Sequence, residues 1–123
     1  MIRFATLWLV GLALLAAAAT AATASAQDAP GDVARGKVAF EHSCAMCHGP
    51  GMHGGRLLPG TASLDAKYHG RVPATLEDRT DLSADYVMLV VRRGSEGMPF
   101  FRPTEVTKQD LRDIAAYLTR KVR

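Results

Sequence analysis

The stretch Cys44-Ala45-Met46-Cys47-His48 is the most informative part of this chain. Its spacing, Cys-x-x-Cys-His, is the attachment signal for a c-type haem. Two thiols three residues apart can each form a thioether bond with one vinyl group of the haem. The following His48 can then bind the iron as an axial nitrogen ligand. The stretch therefore predicts one covalently attached haem c, with Cys44 and Cys47 as the attachment residues and His48 as an iron ligand.

Other chemistries use part of this pattern. A Cys-x-x-Cys pair alone is also typical of thiol–disulfide proteins and of half a zinc site. The chain contains only two cysteines, so a four-cysteine zinc site is excluded. A chance occurrence of the pattern inside a disulfide-stapled domain remains an alternative, as does a thiol–disulfide protein.

Residues 1–26 are predicted to be a secretory signal peptide. Arg3 supplies the positive start, a nearly continuous apolar run extends from Phe4 to Ala19, and Ala24-Ser25-Ala26 matches the cleavage pattern. Cleavage after Ala26 would leave residues 27–123 as one monohaem domain in the periplasm. An uncleaved membrane anchor is the alternative, but the apolar run is short for a span of about 20 residues. We therefore expect no stable membrane insertion after cleavage.

The predicted export and the net charge indicate the state of the thiols and exclude one class of partner. Free thiols tend to oxidise outside the cytosol, and thioether bonds to haem would cap them. The formal net charge is +3 at pH 7, without a basic block interleaved with aromatic residues. The sequence therefore indicates no nucleic-acid partner.

Three stretches have the spacing of an amphipathic helix. Each follows a side chain suited to an N-cap, namely Asp32, Ser83 and Thr107. The first helix is predicted over residues 33–44 and the second ends at Gly94. The apolar faces consist of Val33, Gly36, Phe40 and Cys44, then Val87, Val90 and Val91, and finally Leu111, Ile114, Ala115, Tyr117 and Leu118. Gly36 indicates either a close approach of another helix or simply a tolerated glycine.

The segments between these helices give weaker signals. Residues 49–60 are rich in glycine and predict a loop, and residues 61–81 predict no element. The Pro59 carbonyl is a candidate acceptor for the second ring N–H of His48, although an ordinary turn proline fits equally well. The acidic residues between 77 and 81 are interpreted as a solvated face. Candidates for binding a haem propionate are Tyr68, Arg71, Arg92 and Arg93.

Met98 lies in an irregular stretch, followed by Pro99 and two aromatic residues. A lone Met is normally a core residue on a periodic face, which Met98 is not. Its thioether sulfur is a known second axial ligand for c-type haem iron. The chain between His48 and Met98 is long enough to reach the opposite side of the ring. His69 is the rival ligand, because its segment is long and loop-like.

Together these features resemble the class I c-type cytochromes over residues 31–121. That resemblance implies an all-α cytochrome c fold, with three to four helices around one covalently attached haem. It also implies that the N- and C-terminal helices cross through a glycine and aromatic contacts, at positions matched by Gly36, Phe40, Ile114 and Tyr117. More narrowly, Val91-Arg92-Arg93-Gly94 leading into Met98-Pro99-Phe100 is similar to cytochrome subunits of periplasmic dehydrogenases such as p-cresol methylhydroxylase.

The expected function is therefore one-electron transfer and not enzyme catalysis. The expected partners are redox proteins, namely a dehydrogenase donor and an oxidase or another cytochrome as acceptor. One alternative is a tightly bound cytochrome subunit of a flavin- or quinone-dependent dehydrogenase. Another is a haem enzyme or gas sensor with an open iron site, which requires that Met98 does not bind the iron.

Overall fold

The computed structural model describes residues 29–122, so the predicted signal peptide and its cleavage site after Ala26 lie outside the described residues. The helices are α1 Val33–Ser43, α2 Ala45–His48, α3 Pro59–Tyr68, α4 Ala84–Arg93 and α5 Lys108–Thr119. Two short strands, β1 Met52–His53 and β2 Arg56–Leu57, pair antiparallel, and a 3₁₀ turn covers Leu76–Asp78. The predicted all-α class is confirmed. None of the helices described between residues 29 and 122 has the length and apolar character needed to span a membrane.

The predicted N-caps are all formed. The side chains of Asp32 and Ser83 each accept a hydrogen bond from the backbone N–H three residues ahead, at 2.8 and 3.2 Å. Thr107 and Asp110 form a reciprocal capping box at the start of α5. Each cap satisfies backbone N–H groups that a helix leaves unpaired at its first turn. These short-range signals therefore fix where α1, α4 and α5 begin.

α1 and α5 pack directly against each other at Gly36. A Cβ atom at Gly36 would lie 2.8 Å from the Cβ of Tyr117 and would overlap the backbone carbonyl of Asp113. Phe40, one turn later, is only 1% exposed, and its ring centroid lies 5.7 Å from that of Tyr117 at an interplanar angle of 49°. Gly36 thus marks a close approach of two helices, which was one of its two interpretations.

A buried carboxylate fixes the beginning of α1 on α5. Asp113 accepts hydrogen bonds from the Asp32 backbone N–H at 2.7 Å, from the Arg35 Nε at 2.9 Å and from the Gln109 side chain at 2.8 Å. Burial alone would raise the pKa of Asp113, but these hydrogen bonds outweigh it and lower the pKa. The ionised carboxylate therefore supplies a polar contact within an interface that the sequence predicts as apolar.

The core forms where α4 and the segment before α5 pack on the α1–α5 pair. Leu82 contributes to it, as do Val87 and Val91 of the predicted α4 face, whereas Val90 is not among its buried members. The buried members are Phe40, Leu82, Val87, Val91, Val106, Leu111, Ile114, Ala115, Tyr117 and Leu118. Cys44 and Met98 are partly buried and pack against this same core. Cys44 and Met98 therefore contact the same core, although they are far apart in sequence.

The prediction of a loop over residues 49–60 is wrong in two places, because β1 and β2 pair within it and α3 begins at Pro59. Pro at the first helical position is favourable, since its missing N–H would be unpaired there anyway. The remainder of α3 crosses a stretch for which no element was predicted. Its apolar residues do not follow one face, so periodicity could not find it.

The acidic residues between 77 and 81 are not simply a solvated face. Asp81 accepts two hydrogen bonds from Arg79, at 2.7 and 2.6 Å, and the Arg79 side chain is buried. The pKa of Asp81 is lowered chiefly by these hydrogen bonds. Glu77 accepts a hydrogen bond from the Tyr117 hydroxyl. Asp81 therefore stabilises the segment after α3 internally, and Glu77 joins this segment to α5.

Candidate functional site

The Cys-x-x-Cys-His stretch forms one compact helical turn directly after α1. The Cys44 N–H donates to the Phe40 carbonyl at 2.8 Å, which continues α1 to its end. The Cys44 carbonyl then accepts from the N–H groups of Cys47 and His48, at 3.1 and 2.9 Å. The two thiols and the imidazole are therefore carried by a single turn whose start is fixed by the buried Phe40.

The two cysteines are free thiols and do not form the disulfide of the stapled-domain alternative. Burial, followed by the neighbouring Cys47, raises the pKa of Cys44 to about 11. Cysteines of thiol–disulfide proteins have lowered pKa values, because the thiolate is the reactive form. The environment of Cys44 therefore disfavours a thiol–disulfide protein. Within residues 29–122, no three His, Cys, Asp or Glu side chains lie together as a protein-only metal site.

The His48 ring is held by the first turn of α3. A Cβ atom at Gly60 would lie 2.6 Å from His48 Cε1 and 2.8 Å from its Nδ1, so only glycine allows this contact. Burial also lowers the pKa of His48, which favours the neutral imidazole. Neutral imidazole is the form that binds metal. The position of α3 thus both orients the ring and keeps it in a ligating state.

A second contact joins α3 to the same turn. Thr61 is buried, and its hydroxyl oxygen lies 3.1 Å from the Gly49 carbonyl oxygen and 3.4 Å from that of Cys47. This hydroxyl satisfies carbonyl groups that the end of a helix leaves unpaired. Neither Gly60 nor Thr61 stands out in the sequence, and the one signal that could locate them is Pro59 as a helix start.

The predicted hydrogen bond from His48 to the Pro59 carbonyl is not formed. His48 Nδ1 is buried and has no hydrogen-bond partner in the described part of the chain. The Pro59 carbonyl instead accepts from the Ser63 hydroxyl at 2.9 Å. Pro59 is the first residue of α3, so its carbonyl is directed along the helix towards residue 63 and away from the imidazole.

Met98, the predicted second ligand, lies on a short turn with a fixed backbone. Ser95 and Met98 exchange two backbone hydrogen bonds, at 3.1 and 2.8 Å. Glu96 within this turn and Gly94 before it have positive φ angles, 53° and 73°. A Cβ atom at Gly94 would lie 2.7 Å from the Met98 carbonyl oxygen, so the turn folds back closely on the end of α4.

The rival iron ligand is exposed, and three of the candidates for binding a haem propionate already have partners within the protein. His69, the rival ligand, is the exposed residue that ends α3 in a left-handed conformation. Arg71 donates to the backbone carbonyl of Tyr68 at 3.1 Å, and the Arg79 guanidinium lies over the Tyr68 ring at 4.6 Å. Arg92 donates to two backbone carbonyls of the segment after Met98. The structure therefore gives three of these side chains, Arg71, Tyr68 and Arg92, partners within the protein.

The turn formed by residues 44–48 is called the attachment turn. Its donor groups fit a haem c. Two free thiols separated by two residues, and one neutral imidazole on the next residue, are the groups that such a haem requires. The cradle of His48 also fits, because Gly60 allows α3 to lie flat against the ring. Met98 adds a soft thioether donor at the margin of the same core.

Comparison with known proteins relates this chain to cytochromes. A family model described as cytochrome C oxidase, cbb3-type, subunit III, matches residues 31–118. Cytochrome c6 of Synechococcus elongatus is 30% identical over 87 residues, which cover 71% of this chain and 87% of that protein. The crystal structure of cytochrome c6 from the diatom Phaeodactylum tricornutum is 23% identical, with a TM-score of 0.46, and the match covers 73% of this chain and 93% of that chain.

Proposed function

Since this chain belongs to the class I c-type cytochromes, and is therefore a haem electron-transfer protein rather than an enzyme, we propose that it is a periplasmic one-electron carrier. In this proposal one haem c is attached through Cys44 and Cys47, and its iron is ligated by His48 and Met98. The observation that carries the proposal is the attachment turn, where two free thiols are followed by an imidazole that α3 holds in place.

The protein's own residues hold the two ligands in fixed places. A bound haem supplies the one-electron couple between ferrous and ferric iron. Gly60 and Thr61 fix the His48 turn against α3, and the Ser95–Met98 turn fixes the thioether donor. Rigid placement of both ligands keeps their geometry the same in the two oxidation states. Ligation by Met and His would also raise the reduction potential relative to ligation by two His residues.

The surface near both ligand-bearing segments suits brief docking. Met46, between the two cysteines, is 82% exposed, and Phe100, two residues after Met98, is 61% exposed. Small apolar contacts of this kind are typical of weak redox complexes, which bury little area and dissociate quickly. The proposed partners are a dehydrogenase donor and an oxidase or another cytochrome as acceptor. Location in the periplasm rests on the predicted signal peptide.

A second function is supported by the description of the matching family, which names a subunit of an oxidase. In that case the chain would be a stable cytochrome subunit of a larger redox enzyme, such as an oxidase or a periplasmic dehydrogenase. Affinity purification of the tagged protein from its own host distinguishes the two. A stoichiometric larger enzyme supports the subunit, whereas a protein that elutes alone supports the free carrier.

Covalent attachment gives the first test. We expect the haem to remain with the chain after acid–acetone extraction, because two thioether bonds survive unfolding of the protein. Haem staining of a denaturing gel checks this. The double variant Cys44→Ser/Cys47→Ser, which lacks both thiols, should lose all stain. Loss of haem from the parent protein on extraction would contradict the proposed attachment.

Met98→Ala is expected to lower the reduction potential by roughly a tenth of a volt or more, since axial ligands set haem potentials over about 0.8 V. It should also let carbon monoxide bind rapidly to the reduced protein, because one axial position loses its side chain. Redox titration and absorption spectra measure both effects. Met88→Ala is the matched control, because Met88 lies on α4 and packs against the core. Tight carbon monoxide binding by the parent would instead favour the open iron site.

A further inference from the structure

We infer that Arg92 is a positioning residue for Met98, holding the loop that carries this side chain against the end of α4. This inference rests on the proposed ligation of the iron by Met98. It concerns how firmly the thioether stays in place, and therefore how readily another ligand can replace it.

Arg92 is half-buried in the last turn of α4, and its two terminal nitrogens donate in different directions. One lies 3.0 Å from the carbonyl oxygen of Phe101, three residues after Met98. The other lies 2.9 Å from the carbonyl oxygen of Val106, just before the cap of α5. One guanidinium therefore ties the far end of the Met98 loop to α4 and to the entry of α5.

The chemistry of the guanidinium suits this role. Its rigid, planar fork presents several N–H groups at once, which a Lys ammonium on a flexible stem does not. Hydrogen bonds from a charged donor are also stronger than neutral ones. Val106 is buried, so without Arg92 its carbonyl would lose this hydrogen bond at a place that water does not reach.

Backbone contacts also hold both ends of the loop. At the near end the Ser95–Met98 turn packs on Gly94, and at the far end the Phe101 N–H donates to the Val91 carbonyl at 2.8 Å. The Arg92 contacts therefore add a side-chain anchor at the far end. Loss of Arg92 removes the side-chain contribution but leaves the backbone turn, so the loop should loosen without the whole domain unfolding.

Two other cations near the loop differ from Arg92. Lys67 pairs with Glu96 at 2.8 Å, but both side chains are substantially exposed, and exposed pairs contribute little. Arg93, the next residue, is exposed and donates no hydrogen bond that is seen among residues 29–122. Arg92 is therefore the cation whose position indicates a role in holding Met98.

Arg92→Met is expected to increase the affinity of the ferric protein for imidazole by about tenfold, because loss of charged hydrogen bonds makes Met98 easier to displace. Imidazole titration followed by the absorption band of Met–iron ligation measures this. Arg92→Lys, which keeps the charge but not the fork, should show a smaller increase. If Arg92→Met does not yield folded holoprotein, the Lys variant decides the inference on the same titration.

Two controls separate positioning from general stability. Lys67→Met removes an exposed cation that pairs with Glu96 of the Met98 turn, and it should leave imidazole affinity within about twofold of the parent, since exposed pairs and surface substitutions have small effects. Asp113→Asn weakens the α1–α5 contact and should lower resistance to denaturant without changing imidazole affinity. An Arg92→Met protein that binds imidazole with the affinity of the parent would overturn the inference. The inference would also fail if Asp113→Asn increased imidazole affinity as much as Arg92→Met does.

Met98→Ala tests the proposed ligation in the same assay. If it binds imidazole no better than the parent, then Met98 is not the ligand and the proposed function fails at that point. If Met98→Ala binds imidazole more tightly but neither Arg92 variant does, then the ligation stands and only the role of Arg92 is wrong.

Discussion

Gly36→Ala is expected to lower the free energy of unfolding by about 3 kcal/mol, within the range for overpacking a tight interface. The added methyl group would overlap the backbone carbonyl of Asp113 and lie 2.8 Å from the Cβ of Tyr117. Neither atom can move without shifting α5. The gain of about 1 kcal/mol in helix propensity from Gly to Ala is too small to offset this.

Denaturant unfolding of the holoprotein measures the effect, with Val38→Ala as the control on the same helix. Val38 is exposed, so its truncation should change stability by no more than about 0.5 kcal/mol. A Gly36→Ala protein as stable as the parent would mean that α1 and α5 do not approach each other as closely as the structure shows.

Gly60→Ala is expected to disturb the haem site itself. Its Cβ would lie within 2.8 Å of two atoms of the His48 ring, so either the ring or α3 must move. The φ of Gly60 is not positive, so the backbone accepts Ala and the effect comes from contacts with the His48 ring and, at 2.9 Å, with the Cys47 carbonyl oxygen. We expect altered axial-ligand absorption and a loss of about 1–3 kcal/mol in stability.

The measurements are absorption spectra of both oxidation states and the fraction of chains that carry haem after purification. Gly51→Ala is a matched glycine control, because its Cβ would meet only the Leu58 side chain at an ordinary 3.8 Å. Equal spectra and haem content in the parent and in Gly60→Ala would show that α3 does not position His48.

The parts of the fold that could be predicted depend on short-range chemistry. Asp32, Ser83 and Thr107 are separated from their backbone partners by three residues, so their capping role is visible in sequence. The Cys-x-x-Cys-His spacing is likewise local. The approach at Gly36 could be proposed but not decided from spacing, because the atoms that require glycine belong to α5.

The parts that could not be predicted depend on partners far along the chain. Asp113 occupies the apolar face of α5, and only the folded structure shows that α1 supplies its donors. Arg92 has the same appearance in sequence as Arg93, but only Arg92 meets the carbonyls of residues 101 and 106. The His48 cradle depends on a helix that has no apolar periodicity. In each case tertiary packing, and not local pattern, decides the role of the residue.

The hydrogen bond between the Asp32 backbone and Asp113 spans 81 positions of the chain. Closing so large a loop has an entropic cost that grows with its length, so contacts of this kind slow folding. The beginning of the domain therefore cannot find its partner until α5 has been synthesised. If the haem is attached as proposed, the thiols of Cys44 and Cys47 would stay accessible on an open chain until the ends of the domain close.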